Sequence, residues 1–259
     1  MSGESPATSF GLLVIGNEIL DGRVKDRHFE TLRDILRERH FELRYALFLP
    51  DRGDAIETHL TWAFSRPEPF FSCGGIGATP DDLTRDCAAR VLGVPVALHP
   101  EGVRIMRERF GECVSPSQLR LVAFPEGAAL IPNPFNRIPG FRIRNGYFLP
   151  GFPEMAEPMM RWVLDSAFPA RADRASGSVL LPGAREGMLL DMMEEFVRLH
   201  PDVGFSSLPR FVPGGTEVTL GLSGTRAAVD LAMDDLCARL ERDRISYQHD
   251  PAGGQVPPA

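Results

Sequence analysis

Residues 72–84 read SCGGIGATPDDLT: glycines at 74, 75 and 77, then Thr79, Pro80 and the adjacent acids Asp81 and Asp82. Glycine permits positive φ and removes side-chain bulk, so the main-chain N–H groups of Gly74, Gly75, Ile76 and Gly77 can converge on an anion. Phosphate is the natural guest where a helix N-terminus follows such a loop. Carboxylates repel phosphate directly. Their use beside it is to hold a divalent ion (Mg²⁺, Mn²⁺ or Co²⁺) that bridges to phosphate oxygens, which makes Asp81 and Asp82 candidate metal ligands. Such loops also form tight turns, and acids in a first helical turn are ordinary capping, so the stretch alone leaves both readings open.

The groups must be positioned by the elements around them, and these alternate. FGLLVIG (10–16) is a short apolar run, as expected of a strand buried on both faces of a parallel sheet. GNEILDGRVKD (16–26) follows it and brings Asn17, Glu18 and Asp21 to a strand's carboxyl end. Phe29, Leu32, Ile35 and Leu36 recur at helical spacing, and FELRYALFL (41–49) alternates like a strand. A helix over 55–64 and a third strand, PFFSC (69–73), complete the pattern of an α/β fold with a doubly wound, mostly parallel sheet. The glycine loop then falls at the carboxyl end of the third strand, where open sheets gather ligands. Thr79 is expected as N-cap, Pro80 at the first helical position and the two aspartates in the first turn.

Further on, EGVRIMRERFGE and SPSQLRLVAF read as two helices, the second starting at Ser115 and Pro116. FRIRNGYFLP predicts a hairpin turning at Asn145 and Gly146, and PGFPEM (150–155) leads into a helix through Phe168. The proline-rich loops 131–141 and 150–155 bracket a cleft. PARADRASGS (169–178) is polar and small and marks a boundary. A second, smaller α+β domain over 178–242 follows, with strands at 178–182, 203–207 and 217–222 and helices at 186–199 and 225–242. Residues 1–9 are expected to be disordered and 243–259 to form a flexible tail.

Composition excludes several classes. Of 259 residues, 35 are acidic and 28 basic, a formal charge of −7, and the basic residues form no run, so nucleic acid is not expected as a partner. No apolar stretch approaches the roughly 20 residues needed to span a bilayer, and MSGESPATSF lacks the pattern of a secretory leader, so no membrane is expected and a cytoplasmic location is. Cys73, Cys87, Cys113 and Cys237 lack metal-type spacing and read as free thiols. The six histidines show no metal spacing, the methionines at 155, 159, 160, 188, 192 and 193 read as core filler, and no nucleophile–base set is visible in local spacing.

GNEILDG, GGIGATPDDLT, NPFNRIPGF and LPGFPEM, in this order and spacing, resemble the molybdopterin-binding domain family that includes MoaB and MogA, most closely the amino-terminal part of the competence/damage-inducible protein A (CinA) family. The likeness covers 10–168, and the middle CinA module corresponds to 178–242. It implies a domain that binds a pterin-phosphate or nucleotide-like ligand; some relatives adenylylate molybdopterin or handle metal insertion, and CinA-like members are linked to cleavage of pyrophosphates such as ADP-ribose. Carried over by motif, the anion cradle is Gly74, Gly75, Ile76 and Gly77 with Thr79 beside it. The acids are Asp81 and Asp82 with Glu18 of the first motif, as catalytic candidates. Asn17, Asn133, Arg137 and the loop Pro150, Gly151, Phe152 and Pro153 are ligand-binding candidates.

The chain departs from the family's usual Asp at Asn17, Thr at Cys73, Pro at Ala78 and Gly-Thr/Ser-Ala at Asn136, Arg137 and Ile138, and His28 stands where the family tends to have Asn. Asn17 lacks a charge that would hold a metal or polarise water; Arg137 either supplies a guanidinium to phosphate or is a solvated loop residue. The resemblance implies a metal-assisted hydrolase of a phosphoanhydride, with a metal-bound water as attacker. The alternative is a non-catalytic molybdopterin- or nucleotide-binding protein related to molybdenum cofactor biosynthesis. The partner implied is a phosphorylated small molecule, and the assembly a homo-oligomer, a dimer or trimer. Because the chain ends before the amidohydrolase domain of many CinA proteins, nicotinamide-nucleotide deamidation is not expected.

Overall fold

The computed structural model describes residues 9–111, 113–169 and 173–249. Contacts divide the chain into two units, Met1–Ala170 and Arg171–Ala259. Among the described residues the first unit runs β1 (Ser9–Ile15), α1 (Asn17–Leu20), α2 (His28–Glu38), β2 (Glu42–Leu49), α3 (Gly53–Phe64), β3 (Phe70–Cys73) and α4 (Thr84–Leu92). It continues through β4 (Val96–Leu98), α5 (Pro100–Phe110), α6 (Pro116–Leu119), β5 (Ala123–Pro125), β6 (Ala129–Ile131), β7 (Gly140–Ile143), β8 (Gly146–Leu149) and α7 (Pro153–Ala167).

The main sheet has the order β2-β1-β3-β8-β7-β6. β2, β1, β3 and β8 are parallel, while β7 and β6 are added antiparallel. β1 is buried along its whole length because both faces are covered. Leu12 and Val14 pack with Leu32 and Ile35 of α2 and Met159 and Met160 of α7. Leu13 and Ile15 pack on the other side with Ile56 and Leu60 of α3 and Cys87 of α4. That two-sided burial is why the strand reads as an unbroken apolar run. From β1 the chain moves outward to β2, then crosses back to β3 on the opposite side. The reversal leaves a crevice beyond the carboxyl ends of β1 and β3.

Three local expectations are corrected. α4 begins at Thr84, not at Thr79 and Pro80. The Asp82 amide donates to Thr79 O at 3.1 Å, and the Asp82 carboxylate accepts from the Thr79 amide at 2.8 Å, so the segment closes a turn of its own before the helix. Ser115 does cap a turn, reciprocally with Gln118, but the helix expected over 115–124 stops after α6. Val122 and Phe124 alternate into the core, and Ala123–Pro125 pair with β4. The hairpin turns at Arg144–Asn145, one residue early, with Gly146 already opposite Ile143. Asn145 spends its side-chain amide on the carbonyls of Arg66 and Glu68, at 3.0 and 3.1 Å.

The second unit runs β9 (Arg174–Pro182), α8 (Glu186–Leu199), β10 (Gly204–Val212), β11 (Gly215–Thr225), α9 (Arg226–Arg242) and β12 (Gln248–His249). Its antiparallel sheet has the order β10-β11-β9-β12. Val179, Leu181, Val218 and Leu220 form a core with Phe196 of α8 and Leu236 and Leu240 of α9. β9 starts inside the stretch expected as a boundary, and β12 takes Gln248–His249 out of the expected tail. Pro209 is tolerated in β10 because that strand is an edge. Residues 1–8 and 250–259 lie outside the described residues. Among the described residues no helix is long and apolar enough to cross a membrane.

Candidate functional site

A cavity of about 580 Å³ opens at the carboxyl ends of the parallel strands, lined by Ile15 at the end of β1, Gly16 after it, Asp51 after β2, the loop after β3 and the loop after β8. Its volume falls within the ~300–1,000 Å³ typical of small-molecule sites. The strand ends are tied across the sheet, Gly16 N–H to Leu49 O at 3.1 Å and Gly74 N–H to Leu149 O at 3.0 Å. Of the predicted site residues, Glu18, Gly74, Gly75, Ile76, Gly77, Thr79, Asp81 and Asp82 line this cavity, and so do Pro150, Gly151, Phe152 and Pro153.

The glycine loop is held from behind by the start of α4. Gly74 and Gly75 have φ of 103° and 67°, which a residue with a Cβ rarely adopts. The Thr84 hydroxyl donates to Gly74 O at 3.0 Å, the Thr84 amide to Gly75 O at 3.0 Å, and the Arg85 guanidinium to Gly77 O. Ile76 anchors the loop by burying its side chain in the core shared by α3 and α4. The Gly74 amide is spent on Leu149 and that of Thr79 on Asp82. Among the described residues no hydrogen bond engages the amides of Gly75, Ile76, Gly77 and Ala78. The run of unengaged amides is thus 75–78, one residue on from the stretch 74–77 expected as the cradle. The first helical amide of α4 is satisfied by the loop's own carbonyl, so the helix meets the loop's rear surface.

The wall is acidic. Glu18, Asp51, Asp81 and Asp82 line the cavity, and among the described residues lining it there is no Lys, Arg or His. Asp51 belongs to no motif; its one signal in the sequence is an acid immediately beyond the second strand, in LPDRG. It is clamped to Asn17, whose amide donates to the Asp51 carboxylate at 2.8 Å and whose side-chain oxygen accepts from the Asp51 amide at 3.2 Å. Burial raises the Asp51 pKa above the ordinary carboxylate range, the Asn17 hydrogen bond opposes this, and Glu18, Asp81 and Asp82 add to it. Asn17, a predicted ligand-binding residue, is thus tied to Asp51 and is not among the residues lining the cavity.

The paired-metal expectation does not fit these side chains. Asp82 gives one carboxylate oxygen to both the amide and the hydroxyl of Thr79, at 2.8 and 2.5 Å, and Asp81 is an exposed residue of the cavity wall. Among the described residues no three His, Cys, Asp or Glu side chains are grouped closely enough to hold a metal ion.

Asn133 and Arg137 are not brought to this cavity. They line a separate hollow of about 280 Å³ with Glu101, Ile105, Leu130 and Pro139. Asn133 is buried and organises its own loop, accepting from the Phe135 amide at 3.0 Å and donating to Asn136 at 2.9 Å. Arg137 pairs with Glu108 at 2.9 Å. His28 is buried against Asp26 at 2.8 Å and does not line the cavity. Cys73, at the end of β3, is fully buried, and burial pushes its thiol far above its ordinary pKa.

Comparison with known proteins bears on the same residues. Residues 11–170 match the family model described as "Probable molybdopterin binding domain". A CinA-like protein of Anaeromyxobacter sp. (strain K) is 34% identical over 161 residues, covering 59% of this chain and 40% of that protein. A protein of Pyrobaculum arsenaticum is 27% identical over 209 residues, covering 77% of this chain and 79% of that protein. A solved structure described as the protein CinA, of unknown function, from Thermoplasma acidophilum superposes with a TM-score of 0.58 at 23% identity, covering 63% of this chain and 100% of that one. That structural likeness bears on the fold alone, and the chain spans well under half the length of the CinA-like relative.

Proposed function

The chain belongs to the family of probable molybdopterin binding domains, and from that membership we propose that its cavity holds a phosphorylated pterin- or nucleotide-like small molecule. The ligand's phosphate sits on the amides of Gly75–Ala78, and its heterocycle lies against Phe152, whose ring is 63% exposed at the rim. The observation that carries this reading is the run of unengaged main-chain donors, Gly75–Ala78, on residues that line a cavity of ligand size. Mass analysis of ligand copurifying with the protein, and thermal stabilisation by ADP-ribose, FAD and ATP, test it. A chain that carries no phosphorylated heterocycle and is stabilised by none of the three refutes it.

A second reading, hydrolysis of a phosphoanhydride such as ADP-ribose, is favoured by Asp51. Its carboxylate lines the cavity and is driven toward the protonated form by burial and by the acids around it. It is therefore suited to accept the proton of a water attacking phosphorus, while the anhydride P–O bond breaks and the electron pair leaves with the departing monoester. The amides of the loop hold the charge that develops on the non-bridging oxygens. Among the described residues the carboxylates are not grouped in threes as a metal ion would need, so proton acceptance by Asp51 carries the step. The assay follows AMP release from ADP-ribose with and without Mg²⁺, Mn²⁺ or Co²⁺. Turnover lost in Asp51→Asn while ADP-ribose still binds supports hydrolysis; binding without product leaves the protein a binder. The homo-oligomer, dimer or trimer, and the cytoplasmic location belong to the same proposal and are read by sedimentation and by fractionation.

A further inference from the structure

Arg85 lies behind the loop with 4% of its surface exposed, and its guanidinium ends on two main-chain carbonyls, those of Gly77 and Arg120. Among the described residues it makes no ion pair; Asp82 and Asp86 act on its charge only through space. Burying a guanidinium without a carboxylate partner carries a desolvation cost. The placement has an effect beyond joining α4 to residue 120.

The peptide between Gly77 and Ala78 is trans, as are all the described peptides, so its C=O and N–H point in opposite directions. Gly77 and Ala78 line the cavity and Arg85 does not. With the Gly77 oxygen drawn back to Arg85, the Ala78 N–H is turned to the cavity side, where among the described residues no protein acceptor engages it. Thr84 does the same with neutral donors for the Gly74 and Gly75 carbonyls, turning the Gly75 and Ile76 amides the same way.

We infer that Arg85 is the positioning residue of the anion receptor: it fixes the Gly77–Ala78 peptide so that the Ala78 N–H is presented to the phosphate. By placing a full charge on that carbonyl it also polarises the peptide toward donation. The inference rests on the reading of the cavity as a phosphate site. It also explains how a wall bearing Glu18, Asp51, Asp81 and Asp82 and no cation tolerates an anion, since the positive charge is behind the loop.

The test is titration of the ¹⁵N-labelled full chain with inorganic pyrophosphate, following the assigned amides of Gly75, Ile76 and Ala78. In the wild type all three move saturably. In Arg85→Met the Ala78 response disappears, the other two persist, and affinity falls about tenfold, the loss of one charge-assisted donor. Arg85→Lys, which keeps the charge but not the forked geometry, falls between. A merely structural role would weaken all three responses together or leave them all unchanged, and either pattern overturns the inference. If Arg85→Met does not fold, the wild type and Arg85→Lys decide: an Ala78 amide that stays still while Gly75 and Ile76 move overturns it. If none of the three amides moves in the wild type, the phosphate reading fails first and this inference falls with it.

Discussion

Gly75→Ala probes the loop's construction most directly. Gly75 sits at φ 67°, where a residue with a Cβ costs about 1 kcal/mol more than glycine. The added Cβ would overlap the Thr84 hydroxyl and stand 3.2 Å from Thr84 Cβ. Thr84 is fully buried, so its hydroxyl can move away only by giving up the bond to Gly74 O, a loss of about 2 kcal/mol once the stranded buried groups are included. The sum is about 3 kcal/mol. Both tryptophans of the chain, Trp62 and Trp162, lie in the first unit, so urea unfolding followed by their fluorescence reads that unit alone. With a slope of about 2 kcal/mol/M the midpoint falls by about 1.5 M. The cycle with Thr84→Ala separates the two contributions. If the hydroxyl carries its share, the double variant loses about 3 kcal/mol where the singles add to about 5, a coupling of about 2 kcal/mol. A midpoint within 0.3 M of the wild type (under about 0.6 kcal/mol at that slope), or strict additivity, would refute the account of the loop.

Asp51→Asn tests the acidic wall through pH. The folded carboxyl titrates above its unfolded value, so between the two values the folded state holds more protons and stability falls as pH rises; above that window the loss is constant. The amide variant should melt higher than the wild type at neutral pH and lose that advantage in acid, and a melting temperature unchanged or lower at neutral pH sinks the argument. Tyr45→Phe should stabilise by about 1 kcal/mol, seen as a melting temperature ~2–4 °C higher. Its hydroxyl is buried without a hydrogen-bond partner among the described residues, and burial pushes its pKa up to about 12. With an aromatic disulfide reagent at mildly alkaline pH, Cys113 should react rapidly, because it is exposed, while Cys73 and Cys87 stay silent. Burial pushes the Cys87 thiol up to about 11 and Cys73 further still, and a rapid phase that survives Cys113→Ser combined with Cys237→Ser, the half-buried thiol, would contradict this.

The sheet's parallel centre was legible because burial on both faces leaves a continuous apolar run, as at 10–16, and because the helices between carry a 3.6-residue period. β4 and β5 were not legible: three-residue strands offer too little pattern, and Val122 and Phe124 share their neighbourhood with a genuine helix cap at Ser115. The start of α4 was misplaced since Thr-Pro-Asp-Asp carries every signal of a helix N-terminus, and only the bond between the Asp82 carboxylate and Thr79 shows that the acid serves a turn instead. Most of the cavity's lining was visible as motifs after strands. Asp51 escaped notice because one acid beside a turn has no pattern, and Arg85 because its significance depends on which way a peptide plane faces. Asn133 and Arg137 were drawn in by motif and placed elsewhere by the fold, where Asn133 is consumed by its own loop.

Gly151 approaches Gly74 so closely that a methyl on Gly151 would stand 3.3 Å from the Gly74 α-carbon, while Gly74 itself backs onto the Ile15 carbonyl. The bottom of the cavity is thus made of three chain segments laid bare against one another, and its outline there is dictated by main chain. Anyone wishing to re-purpose the cavity for a different guest has no side chains to exchange at its base. Discrimination among guests has to be written at the mouth, at positions such as Val24, Ala78 and Phe152, where new atoms have somewhere to go.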